Sequence, residues 1–221
     1  MKIHSVFAAL FTAALAHATI LPPGGSPPVA PSDFTTPVTG PFLANTGTES
    51  WIATNSLGQT TMLGTYSAEV YADPDNTFCA GCLDFFVTVT SSAASVDDIE
   101  RITLASFGTF DTNVGYSTGT GSVSGGVVPS TVDRSSSGSI VGFNFNEPVG
   151  VAPGDETMVL EIQTNALNFM TGTMSIIDSS VASVNIFEPS AVTPEAGSLS
   201  LTLLGAALLS IGFIGRRRRA R

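Results

Sequence analysis

Between residues 41 and 190 the chain is patterned in twos. The run Leu83-Asp84-Phe85-Phe86-Val87-Thr88-Val89-Thr90 is the clearest case, because Leu83, Phe85, Val87 and Val89 fall on one side of an extended backbone. Similar β-branched and aromatic runs, bounded by Gly, Asn, Asp and Ser, mark strands at residues 65–72, 99–107, 140–145, 157–163, 174–177 and 181–187. No window from 40 to 190 carries helical spacing, and residues 93–100 amount to one turn at most. Seven or eight short strands punctuated by turns predict an all-β domain over residues 41–190, an antiparallel β-sandwich of jelly-roll or Ig-like kind. Residues 115–139, rich in Gly, Ser and Thr, read as a long loop or an irregular edge hairpin. Residues 19–40 hold Pro22, Pro23, Pro27, Pro28, Pro31 and Pro37 and read as an extended lead-in outside the core.

Charge placement closes off several functions. Charged residues are 12% of the chain, against roughly 25% in an average soluble protein. Lys2 lies at one end and Arg216 to Arg219 with Arg221 at the other, leaving only Arg101 and Arg134 between. Those two stand against seventeen acids in residues 19–194, a net charge of −15. Such a surface repels a phosphate backbone, so no nucleic-acid partner is expected.

The two ends differ from the middle. Lys2, an apolar run from Ile3 to Leu15 and the small-x-small triplet Ala16-His17-Ala18 have the layout of a cleavable signal peptide over residues 1–18, with the cut expected before Thr19. The run is about 13 residues, or about 20 Å of helix, which is short for a bilayer core of about 30 Å. Both histidines, His4 and His17, lie in that segment. The mature chain would then have neither histidine nor lysine, which rules out imidazole-based triads, imidazole metal ligands and Schiff-base chemistry. Residues 197–215 carry no charge and, as a helix, reach about 28 Å, enough to span a membrane. Arg216, Arg217, Arg218 and Arg219 then form a stop-transfer cluster that stays in the cytoplasm by the positive-inside rule.

Before that segment stands Val192-Thr193-Pro194-Glu195-Ala196-Gly197. The order of Pro-Glu motif, one hydrophobic helix and terminal arginines resembles the PEP-CTERM sorting tail of Gram-negative, often biofilm-forming bacteria. The resemblance covers roughly the last 30 residues, with Pro194, Glu195 and Ala196 as the sorting motif. Ala196 stands where the family usually has a second proline. It implies an exported protein that crosses the inner membrane, is handled by signal peptidase and an exosortase-like enzyme, and reaches the cell surface or extracellular matrix. A permanent type I membrane anchor is the alternative for the same tail. No Leu-Pro-x-Thr-Gly motif precedes the helix, and a GPI signal would not end in arginines. The stretches Cys79-Ala80-Gly81-Cys82-Leu83-Asp84-Phe85, Ile99-Glu100-Arg101-Ile102-Thr103 and Val132-Asp133-Arg134-Ser135-Ser136-Ser137-Gly138 also resemble ectodomains found ahead of such tails. That resemblance implies fold and context without an assigned activity.

Among chemistry-bearing residues, Cys79 and Cys82 are the only cysteines and are expected to form a disulfide at the start of the Leu83 strand. Neither a haem-attaching histidine nor two further zinc ligands accompany them, so neither a metal nor a cofactor is expected. Asp73-Pro74-Asp75-Asn76, Asp97-Asp98-Glu100 and Asp155-Glu156 are oxygen-rich, but none has the full spacing of a calcium loop, and they read as turn chemistry. Trp51, Tyr66, Tyr71 and Tyr116 are either a sugar-binding face or core; Arg101 and Arg134 are expected to pair with carboxylates, Arg134 fixing the loop around Asp133 to Gly138. The leading expectation is therefore a surface or matrix protein without catalytic activity, in contact with extracellular polysaccharide. A carbohydrate- or calcium-binding module on a permanent anchor is the second, and a two-carboxylate hydrolase the third.

Overall fold

A computed structural model describes residues 19–22, 26–121, 123–145 and 150–191. The signal segment, the Pro194-Glu195-Ala196 motif, the 197–215 span and the Arg216 to Arg219 cluster lie outside the described residues. Among the described residues every regular element is a strand, in chain order β1 (Ile20–Leu21), β2 (Ser26–Val29), β3 (Ser32–Phe34), β4 (Phe42–Asn45), β5 (Glu49–Thr54), β6 (Thr60–Asp73) and β7 (Cys82–Ser91). The second half adds β8 (Arg101–Leu104), β9 (Thr112–Ser117), β10 (Thr131–Arg134), β11 (Val141–Asn144), β12 (Val159–Thr164), β13 (Asn168–Ile177) and β14 (Val181–Ser190).

They form two sheets, as the alternation requires of strands that each have one apolar face to hide. The larger sheet runs β1-β9-β12-β7-β6-β4, with β3 also on β9 and β5 also on β6; the smaller runs β14-β13-β8-β11-β10-β2. Pairing is antiparallel except for β3 on β9. Leu83, Phe85, Val87 and Val89 do share the buried face, where they join Leu160 and Ile162 of β12 and Ile102, Leu104, Phe143, Met174 and Ile176 of the smaller sheet. The all-β sandwich architecture expected from the periodicity is thus present.

Fourteen strands stand among the described residues where seven or eight were expected, and three differences from the sequence reading bear on the site. The strand expected over 99–107 ends at Leu104, because Ser106 adopts a left-handed backbone (φ 69°). The chain turns there and sends Phe107 into the core, edge-on to Phe85 at 5.9 Å. The 115–139 stretch is broken by strands, since β9 runs to Ser117 and β10 occupies Thr131–Arg134, leaving the turn at 135–139 to join β10 to β11.

The third correction concerns residues 19–40. The segment is extended, as prolines favour, but it belongs to the sandwich. β1 pairs with β9 in one sheet, β2 with β10 in the other, and β3 returns to β9. Leu21 is wholly buried in the common core. Prolines are tolerated because these are edge strands, where a missing N–H faces outward. After Phe34 the chain must reach β4, at the opposite end of the larger sheet, within seven residues. Residues 35–41 make this crossing over the outer face of that sheet, forming a strap.

Candidate functional site

The strap covers a face that would otherwise meet water, which explains why β7 and β12 are buried almost without interruption. Beneath it the outward positions are Asp73 at the end of β6, Asp84 on β7, Glu161 and Gln163 on β12, and Asn113 on β9. Asp73, Asp84 and Glu161 expose only 4%, 0% and 1% of their surface. A cleft of about 400 Å³ opens between this face and the strap, lined by Asp73, Glu161, Gln163, Thr77 and Asn113 against Phe34 to Val38, with Asp84 outside its lining.

Glycines let β3 and the strap that follows it lie this close. A Cβ at Gly115 would stand 2.0 Å from the Ser32 carbonyl oxygen, and one at Gly119 would stand 2.6 Å from the Thr36 carbonyl carbon. Val38 N–H donates to Thr120 Oγ1 at 2.7 Å and fastens the far part of the strap.

The polar groups under the strap are joined in a chain. Thr19 N–H donates to Ser32 Oγ (2.7 Å), which donates to Asn113 Oδ1 (3.1 Å). Asn113 Nδ2 and Thr77 Oγ1 both donate to Gln163 Oε1, at 3.2 and 2.6 Å, and Gln163 Nε2 donates to Glu161 Oε1 at 3.1 Å. Asn76 Nδ2 donates to Asp84 Oδ1 at 2.6 Å. Two oxygens are left over: Asp84 Oδ2 and Glu161 Oε2 are buried and receive no donor.

Burial pushes the Asp84 carboxyl up to about 9, helped by the neighbouring charges of Glu161 and Asp73. Asp73 adds to the upward push as a neighbouring carboxyl, and the hydrogen bond from Asn76 opposes it. Burial likewise pushes Glu161 up to about 8, against the lowering effect of hydrogen bonds from Ser117 and Gln163. The only two basic side chains among the described residues serve elsewhere, and neither is among the charges acting on these acids. No family model, curated protein or solved structure matches the chain. Its function therefore has to be argued from these groups.

The residues singled out in the sequence fall in several places. Cys79 and Cys82 are disulfide-bonded and close the turn that leads into β7, where Gly81 takes a positive φ (82°) and Cys82 N–H donates to the Cys79 carbonyl (3.1 Å). Asp73 and Asn76 do hold their own turn, through Asp75 N–H to Asp73 Oδ1 (3.1 Å) and Phe78 N–H to Asn76 Oδ1 (2.8 Å). Asp97 Oδ2 accepts from Ser179, and Glu156 Oε1 from Thr90, as turn and edge groups. Among the described residues no three Asp, Glu, His or Cys side chains are gathered tightly enough to form a metal cage.

Arg101 pairs with Asp133 as expected, in a fork of 2.5 and 2.8 Å, and also donates to Asn144. The fork holds the Asp133 carboxyl below its usual range. Arg134 follows only half of the expectation, tying the loop to Gly138 through a carbonyl and with no carboxylate among its hydrogen-bond partners. Its guanidinium is buried and donates to the carbonyls of Gly138, Leu21, Phe107 and Phe110 and to Thr112 Oγ1. The aromatic face does not assemble either. Trp51 and Tyr66 are buried and donate to the carbonyls of Thr65 and Asn185, whereas Tyr71 lies on the outer face between Phe42 and Phe86.

Asp84 and Glu161 escaped the sequence reading as candidate site residues, and Asp73 was read only as a turn group. One signal was present: Asp84 and Glu161 each interrupt a run that is otherwise strand core.

Proposed function

We propose that the chain is an exported surface or extracellular-matrix protein without catalytic activity, handled by signal peptidase and an exosortase-like enzyme. The observation that carries this reading is the ordered tail: Pro194-Glu195-Ala196, nineteen uncharged residues at 197–215, then Arg216 to Arg219. A helix of that length crosses a bilayer, and guanidinium groups stay behind on the cytoplasmic side. The protein passes through the inner membrane of a Gram-negative-type cell and comes to rest at the surface or in the matrix, beside extracellular polysaccharide. The Cys79–Cys82 disulfide supports the reading weakly, since disulfides persist in oxidising compartments. Because the last strand ends at Ser190, a cut at the motif leaves both sheets whole.

Intact-mass measurement of the form released from cells tests the reading. A product that begins at Thr19 and ends near residues 194–196 is expected. A released product that still carries Arg216 to Arg221 overturns exosortase-type processing and leaves a permanent type I anchor.

A further inference from the structure

Burying an ionised carboxylate without a partner is among the most costly things a fold can do, and it is normally avoided by a hydrogen-bonded or charged neighbour. Three carboxyls are buried together under the strap, and two of their oxygens, Asp84 Oδ2 and Glu161 Oε2, have no donor. Arg101 is engaged by Asp133 and Arg134 by four carbonyls, so no basic side chain among the described residues answers them. The two bare oxygens are therefore answered either by protons or by a cation from outside the described side chains.

Asp84 and Glu161 are diagonal neighbours on adjacent strands, because Asp84 faces Gln163 and Glu161 faces Phe86 in the β7–β12 register. Diagonal partners stand about 7–8 Å apart and long side chains span the gap. Both project from the same outer face, and Glu161 borders the cleft. We propose that this cleft is a calcium site, with Ca²⁺ held between Glu161 Oε2 and Asp84 Oδ2 and completed by neutral oxygens and water.

The chemistry favours calcium over other cations. Every polar side-chain group at hand is an oxygen or an amide, which selects a hard ion. Gln163, Thr77 and Asn113 line the same cleft, and amide and hydroxyl oxygens are ordinary calcium ligands. The acids do not close into a cage of three, so the ion keeps part of its hydration shell, for which a space of about 400 Å³ leaves ample room. Magnesium demands tight octahedral geometry, and carboxylates fixed on separate strands do not offer it. The inference rests on the sheet alone and stands or falls separately from the reading of the two termini.

Thermal melting of the full-length chain, stripped with chelator and solubilised in mild detergent, tests it. At pH 7.5, millimolar CaCl₂ is expected to raise Tm by about 5 °C or more over NaCl of matched ionic strength. MgCl₂ is expected to do clearly less. Glu161→Gln should lose the calcium shift, whereas Asp155→Asn, at an exposed turn, should retain it. No shift in the wild type up to 10 mM CaCl₂ overturns the proposal and leaves protons to neutralise the acids. An equal shift in Glu161→Gln overturns it as well, placing the ion elsewhere on an acidic surface.

Should Glu161→Gln fail to fold, terbium emission gives the same answer with the acids intact. Tyr71 is directly opposite Asp84 on the outer face of β6 and is placed to sensitise a bound lanthanide. Calcium-displaceable emission that falls severalfold in Tyr71→Phe supports the site. Emission absent from the wild type, or unchanged in Tyr71→Phe, overturns it.

Discussion

Asp84 and Glu161 make the fold's stability depend on pH in an unusual direction. In the unfolded chain both acids titrate near 4. In the folded chain they keep their protons until about 9 and about 8. Between these limits the folded state binds more protons, so stability falls as pH rises, by up to about 1.4 kcal/mol per unit for each group, and levels off above about 9. Urea unfolding in chelator from pH 5 to 9 should therefore show decreasing stability, and Glu161→Gln should flatten the slope and be the more stable protein at pH 8. A wild type as stable at pH 8 as at pH 5 would contradict this. Arg134 is the other residue on which much depends, because its side chain donates to four carbonyls that no water reaches easily. Arg134→Met should cost more than about 3 kcal/mol by the same urea assay, since buried acceptors would be left bare. Arg134→Lys should recover less than half of the loss, because an ammonium is a point donor and cannot span the fork. The sequence made Arg134 conspicuous but pointed to a carboxylate as its partner. The carboxylate next to it in the chain, Asp133, is out of reach, because in a strand adjacent residues face opposite sides. Asp133 turns outward to Arg101 while Arg134 turns inward.

At the scale of elements, β6, β7 and β12–β14 were legible because each has a face of large apolar residues repeating every second position. β9 was not, since Val114 is its only aliphatic side chain and its remaining neighbours are Thr, Asn, Gly, Tyr and Ser. That composition follows from its position, next to the strap, where polar side chains are satisfied by other polar side chains and not by water. β1 to β3 were hidden by proline, which signals a loop unless the strand lies at an edge. Gly115 marks where β3, which leads into the strap, lies against β9. Gly115→Ala should shift β3 and with it the start of the strap, because its methyl would meet the Ser32 backbone at 2.0 Å. The expected result is faster amide exchange through residues 32–38 and a lower melting temperature; unchanged exchange there would mean the strap is not held at this point. The disulfide acts on the other wall of the cleft. Ring closure over four residues is worth about 2 kcal/mol through the unfolded chain, so Cys79→Ser with Cys82→Ser should lose about that much by urea titration. Exchange at Asn76 and Thr77 should rise with it, since their turn is tied off by that bond.

For the whole molecule, the export proposed above would have to agree with folding on where the mature chain begins. Thr19 N–H donates to Ser32 Oγ, Thr19 Oγ1 to the Ala30 carbonyl, and Leu21 lies in the core with its carbonyl bound by Arg134. A cut before Thr19 leaves all of these in place and turns the Thr19 nitrogen into a free amine that still reaches Ser32. A cut three residues later removes a buried leucine and one of the acceptors that hold the guanidinium. Burying Leu21 contributes about 2 kcal/mol, and the orphaned donor adds a further 1 kcal/mol or more. A chain starting at Pro22 should therefore melt about 6–12 °C below one starting at Thr19, at the few degrees per kcal/mol usual for domains of this size. Side-by-side melts of the two chains check this, and a difference under about 2 °C would show that β1 is dispensable. The same limit applies to the cell: a mature protein found to start beyond Thr19 would lack an edge strand that the larger sheet uses, and the fold argued here would have to be revised at that edge first.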